Sequence, residues 1–147
     1  MNNREIKFRA WDKIKNKMYH FNEFWLDSEY QSIAFSLDDK ERKLQEGNYS
    51  LDFYQEDLSE LMQFTGLHDK NGKEIYCGDI VKYDYGNPFK REIPNPQIRE
   101  IIFKDGCFSL KDDDYYYNAS YDTNLSKKNK NCEVIGNIYE NPELLTK

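Results

Sequence analysis

Histidine is scarce in this 147-residue chain, with two copies, and cysteine is limited to three. His20 and His68 are far apart, and Cys77, Cys107 and Cys132 form no CxxC pair. The short ligand spacings of a structural zinc site are therefore absent, and an odd, scattered set of cysteines predicts buried thiols rather than a disulfide framework. No apolar run approaches the roughly 20 residues of a membrane-spanning helix. The opening MNNREIKFRAW has no apolar signal-peptide centre, so we expect a cytoplasmic protein that makes no membrane contact. Glycine occurs seven times and proline four times, with three of the prolines, Pro88, Pro94 and Pro96, in one stretch that cannot be a central strand.

Aromatic residues are plentiful: twelve Tyr, nine Phe and two Trp. The mean hydropathy of −0.98 would suit a disordered chain. Disordered chains are poor in aromatics, however, so we read a polar surface over a Tyr/Phe core. Net charge is −6, which disfavours a sequence-independent grip on duplex DNA. The charge is uneven. Residues 1–20 carry six Lys/Arg against two acids, and residues 38–60 carry eight acids against three bases.

The patterning is mostly of period two. Ile6, Phe8 and Ala10 alternate with Lys7, Arg9 and Trp11, and after a polar loop at 12–17 the run Met18–Phe21 returns, which predicts a β-hairpin with Arg9 on its solvent side. Ile33, Phe35 and Leu37 mark another strand, as do Tyr49, Leu51 and Phe53. DDKERKLQEGN between them reads as a solvated loop or short helix, and residues 55–61 as a single helical turn. Asn71-Gly72 predicts a type I′ hairpin turn, because both residues tolerate positive φ, between a strand at Leu61–Thr65, or a piece nearer to Asn71, and a strand at Glu74–Cys77. Gly78-Asp79 predicts a second turn before the strand Ile80–Tyr85, and Asp105-Gly106 a third between Glu100–Phe103 and Cys107–Leu110. Cys132–Gly136 is a strand continued by Ile138 and Tyr139. Asn141-Pro-Glu-Leu-Leu then reads as an N-cap, a proline at the first helical position and an acidic first turn. Short strands joined by tight turns suit a closed barrel, which hides its edges. The expected class is α+β, mainly β: an N-terminal hairpin lobe over residues 1–60, then a small barrel over 61–147 with a short closing helix.

Three segments in order, REIKFRAWD, LMQFTGLHDKNGKEIYCGDIVKY and VIGNIYENPELL, resemble the YopX family of phage and prophage proteins. The likeness covers both ends and the centre of the chain. It implies a protein encoded by phages of low-GC Gram-positive bacteria and acting in the host cytoplasm, an SH3-like barrel in the C-terminal part, and homo-oligomers. It carries no catalytic residue. Where the family often has an acid before Gly78-Asp79, this chain has Cys77.

A His68–Cys77 pair suggests nucleophilic catalysis only by closeness in sequence, and an exposed turn histidine beside a small buried thiol is the simpler reading. Asp112, Asp113 and Asp114 offer oxygen ligands, but adjacent residues on an extended strand point to opposite faces and calcium-loop spacing is missing. Gly66, Gly72 and Gly78 are explained by turns, with no following helix to bind phosphate. No catalytic residue, metal or cofactor is therefore expected. The candidate interaction surface is aromatic: Trp11, Tyr19, Phe24, Trp25, Tyr115, Tyr116 and Tyr117, since Tyr and Trp are enriched at interface cores. The function these residues point to is non-enzymatic protein binding, with itself and with a host protein. Single-stranded nucleic acid, stacked on aromatics beside Lys127–Lys130, ranks second.

Overall fold

The structure, a computed structural model, describes residues 5–13, 15–27, 32–37, 50–53, 61–84, 96–111 and 125–146. For residues 22–27, 32–37, 50–53 and 127–129 it describes the backbone alone. The chain is mainly β, built of antiparallel strands, and among the described residues helix is confined to single turns. It divides into two units, Met1–Phe64 and Thr65–Lys147.

In the first unit β1 (Phe8–Asp12) and β2 (Lys17–Asp27) form the expected hairpin, pairing Phe8 with Phe21 and Asp12 with Lys17. The loop closes on itself: the Lys15 N–H donates to Asp12 Oδ1 at 2.9 Å, and Asn16 takes φ +49, which Asn tolerates better than most residues. β2 passes a register shift between Phe21 and Glu23 and pairs with β3 (Ser32–Leu37), which pairs with β4 (Ser50–Phe53). On its other side β1 pairs with the start of β5 (Leu61–His68). Leu61, expected both to end a helical turn and to open the strand before Asn71-Gly72, opens the strand. Residues 38–48 and 54–60 lie outside the described residues.

Directly paired residues on antiparallel strands share a face, so Ala10 lies with Tyr19, and Arg9 with His20 and Met62. Ala10, Tyr19 and Phe21 are buried on one face. The other is covered as well: Arg9, Met62 and Phe64 are all buried, and the Arg9 guanidinium lies 3.5 Å from the Met62 sulfur. Period two alone placed Arg9 in solvent. Its alkyl stem makes it a usable core residue once its head has partners.

In the second unit β5 ends and returns as β6 (Glu74–Tyr76), followed by β7 (Asp79–Tyr83), β8 (Gln97–Lys104) and β9 (Cys107–Leu110). The helical turn α1 (Leu125–Lys128) and a 3₁₀ turn (Asn129–Asn131) lead into β10 (Cys132–Asn137), and a second 3₁₀ turn (Pro142–Leu145) closes the chain. The sheet order is β10-β7-β8-β9. One face gathers the core: Val81 and Tyr83, Ile101, Phe108 and Leu110, Cys132 and Val134, joined by Ile75 and Leu125. Leu125 is fully buried and anchors α1, a helix not foreseen in the polar run before it.

The type I′ geometry expected at Asn71-Gly72 is found instead at Asp105-Gly106. At Asp105-Gly106 both residues have positive φ, +52 and +79, and Lys104 pairs with Cys107, which makes a two-residue type I′ turn. At Asn71-Gly72 only the glycine does, at φ +84. There the Gly72 N–H donates to the Asp69 carbonyl at 3.0 Å and the Asp69 N–H to the Lys73 carbonyl at 2.8 Å. That is a type I turn closed by a left-handed glycine, the three-residue hairpin loop. Further along, Asp79 is not an exposed turn residue: it sits in β7, 1% exposed, accepting the Tyr76 N–H at 2.8 Å. Ile138 and Tyr139 leave the strand. Asn137 draws them into a turn, its Oδ1 accepting the N–H groups of Tyr139 and Glu140 at 3.0 and 2.9 Å. The closing helix is a single 3₁₀ turn with proline at its start and Glu143 in its first turn, and Asn141 makes no side-chain cap bond.

Candidate interaction surface

The structure separates the aromatic residues singled out from sequence. Trp11 pairs with Met18 and Tyr19 with Ala10, so the two rings project from opposite faces of the N-terminal hairpin. Trp11 is half-buried. Tyr19 is 1% exposed, and its ring is covered by the Lys17 and Lys15 ammonium groups at 4.8 and 5.9 Å from its centroid. It packs as a core residue under a cationic lid. Lys7 lies 5.5 Å from the buried Phe64 ring and 3.1 Å from Glu5. Much of the basic charge of this end is thus spent on rings and neighbouring acids. Phe24 and Trp25 lie in β2, in register with Phe35 and Ala34. Tyr115, Tyr116, Tyr117 and the Asp112–Asp114 run lie outside the described residues.

Cys77 is half-buried in the turn that follows β6. Burial pushes its pKa above the ordinary thiol value, and the negative charges of Glu100 and Asp79 push the same way, against hydrogen bonds from the Phe103 and Gly78 backbones. His68 is exposed at the end of β5. Among the described residues no group of three His, Cys, Asp or Glu side chains is placed to hold a metal ion.

Two features escaped the sequence reading. The first is Phe103 at the tip of the β8–β9 hairpin, 60% exposed beside the type I′ turn. It leans edge-on against Phe108, ring centroids 5.2 Å apart at 64°, an arrangement that fixes the ring and contributes about 0.5–1.5 kcal/mol beyond burial. Phe103 shares the sheet face of buried Ile101, and alternation does not tell the two apart. It reaches past the end of that core.

The second is Asp69. Its Oδ1 accepts the N–H groups of Asn71 and Lys73 at 2.8 and 2.9 Å, and its Oδ2 accepts the Val134 N–H at 2.9 Å. Burial opposes ionisation, but the three N–H donors and the Lys73 charge outweigh it and hold the carboxyl below its ordinary pKa. Beside it the Lys70 N–H donates to the Cys132 carbonyl at 3.0 Å, and Lys70 Nζ meets Glu133 Oε2 at 2.7 Å. An Asp at the first position of a type I turn was the available signal.

Together the described residues define an antiparallel, mainly β protein in which Asp12, Asp69, Asp79 and Asn137 hold turns through their side chains. The chain belongs to the YopX family: the family model, YopX protein, matches residues 7–146, nearly its whole length. Among solved structures it is similar to the crystal structure of protein EF1440 from Enterococcus faecalis, with 29% identity over 96% of this chain and 98% of that one and a TM-score of 0.49. No curated protein matches it. Among the described residues no helix is long and apolar enough to cross a membrane.

Proposed function

We propose that this chain is a non-enzymatic accessory protein of phage or prophage origin that works in the host cytoplasm, as a homo-oligomer, by binding a host protein such as a factor of its defence. In this reading the second unit is a small SH3-like barrel, and the lobe over residues 1–60 carries contacts to other copies or to the partner. The observation that supports it is Phe103: a large apolar ring, 60% exposed, on a hairpin whose turn leaves it little freedom. A rigid aromatic side chain loses little conformational entropy on binding, which is why such residues dominate interface energetics. The net charge of −6 argues in the same direction, away from a phosphate backbone.

The test is a pull-down from host lysate with wild type and Phe103→Ala, with light scattering on both. One host protein retained by wild type and lost by the variant supports the reading. A 17.7 kDa monomer at micromolar concentration that retains nothing sinks it. A second reading, single-stranded nucleic-acid binding, draws on the half-exposed Trp11 among the lysines of the N-terminal hairpin. Salt-dependent binding of an oligonucleotide, lost in Trp11→Ala, would favour it.

A further inference from the structure

Among the described strands β10 lies at one end of the order β10-β7-β8-β9, and an end strand offers its outward backbone groups for pairing. Cys132 and Val134 are in register with Tyr83 and Val81, but two of their polar groups bond elsewhere: the Cys132 carbonyl to the Lys70 N–H at 3.0 Å, the Val134 N–H to Asp69 Oδ2 at 2.9 Å. These bonds have the geometry of a particular ladder. In a parallel pair, one residue of the added strand donates to the carbonyl before its partner residue and accepts from the N–H after it. With Glu133 as partner, Lys70 supplies the donor and the Asp69 carboxylate stands where the added strand's carbonyl would be. The side chains agree, since Lys70 Nζ meets Glu133 Oε2 at 2.7 Å as cross-strand neighbours do.

We propose that the Asp69–Lys70 turn is a guard: one residue's worth of strand, supplied from within the chain, filling the position on β10 where an extended segment of a second copy would otherwise add. This goes beyond the proposed function, because it sets a contact between copies that the fold is built to prevent. The carboxylate suits the task. It accepts the edge N–H as a strand would, yet the turn behind it runs straight into β6 and offers no further ladder to extend.

The experiment compares wild type, Asp69→Ala and Asp69→Asn by light scattering over a dilution series, with hydrogen exchange read at the Val134 amide. Removing the acceptor frees one charge-assisted hydrogen bond to be remade between chains, so association of Asp69→Ala beyond the wild-type state should strengthen by about tenfold or more. Its Val134 amide should exchange at least about tenfold faster in the dilute state. Asn keeps one oxygen acceptor and should fall between. If Asp69→Ala keeps its circular-dichroism spectrum while its association curve and Val134 exchange match wild type, the guard is refuted. If Asp69→Ala does not fold, Asp69→Asn decides: stronger association supports the proposal, and an unchanged curve overturns it. Loss of host-protein capture in any variant bears on the proposed function and not on this inference.

Discussion

Replacing Asp69 by Ala removes one carboxylate and strands three N–H donors. They do not cost the same. Asn71 and Lys73 are exposed turn residues whose amides can turn to water. The Val134 N–H faces a buried acceptor, and an unmet buried donor costs about 1–3 kcal/mol. Adding the looser turn, the loss at neutral pH should be about 3 kcal/mol, a shift of roughly 1.5 M in a urea midpoint if the slope is near 2 kcal/mol per M. The pH dependence separates this from a generic packing defect. The carboxyl of Asp69 is held below its ordinary value of 3.8 in the folded chain, so the unfolded chain protonates first as pH falls. Its stabilisation is therefore full above that ordinary value and drains away as pH drops through the folded one. Urea titrations at pH 7 and pH 3 should show the gap between wild type and Asp69→Ala narrowing at the lower pH. A gap that is constant or wider at pH 3 would refute the argument that an ionised carboxylate holds the turn.

At Gly136 an added Cβ would come within 2.5–2.9 Å of the Asn141 side chain, so Gly136→Ala should cost about 1–3 kcal/mol in a urea titration and be partly relieved by Asn141→Gly. Gly106 is different, with open space around it but φ +79, so Gly106→Ala should cost about 1 kcal/mol and Gly106→Asn less, readable as melting shifts of a few degrees. Cys77, its pKa raised chiefly by burial, should alkylate with iodoacetamide at pH 8 far more slowly than a small free thiol and reach the free rate in urea; equal rates in the folded chain would contradict its placement.

Strand positions were legible because each needs only alternation and a turn: the N-terminal hairpin, the segments around Phe35 and Leu51, and the β8–β9 pair were all readable. What alternation does not encode is how far a core extends. Ile101 and Phe103 stand two residues apart on the same face, yet one is fully buried and the other mostly exposed. The same limit applies to Arg9, whose covered face depends on β5 arriving more than fifty residues later. Turn type failed for a sharper reason. Asn-Gly and Asp-Gly are interchangeable as local signals, and each follows a lysine, but the residue two positions before Asn71 is Asp69, whereas Phe103 stands two before Asp105. Lys104 offers nothing to its turn beyond backbone, whereas Asp69 captures two N–H groups and lengthens the loop to three residues. The decisive interaction also reaches to Val134, and no window of sequence around Asn71 contains it.

That long reach changes what the best-patterned segment of the chain is for. Thr65 to Tyr83 looks local, a hairpin and a strand, yet beyond the pairing of β7 with β8 and β10 its turns are tied by three backbone hydrogen bonds to segments distant in sequence: Lys70 to Cys132, the Gly78 N–H to Ile101 at 2.7 Å, and the Gly78 carbonyl to Ile138 at 2.9 Å. Each pin uses main-chain groups that a turn leaves pointing outward, so the sharpness of the turns creates the docking sites. The β8–β9 hairpin is held in turn by Gly78 at Ile101, two residues from Phe103. If Phe103 is the contact residue, its rigidity depends on that hydrogen bond as much as on its own type I′ turn. A substitution that disturbs Gly78 should then weaken partner capture without touching the exposed ring, an effect that surface scanning alone would assign to the wrong residue.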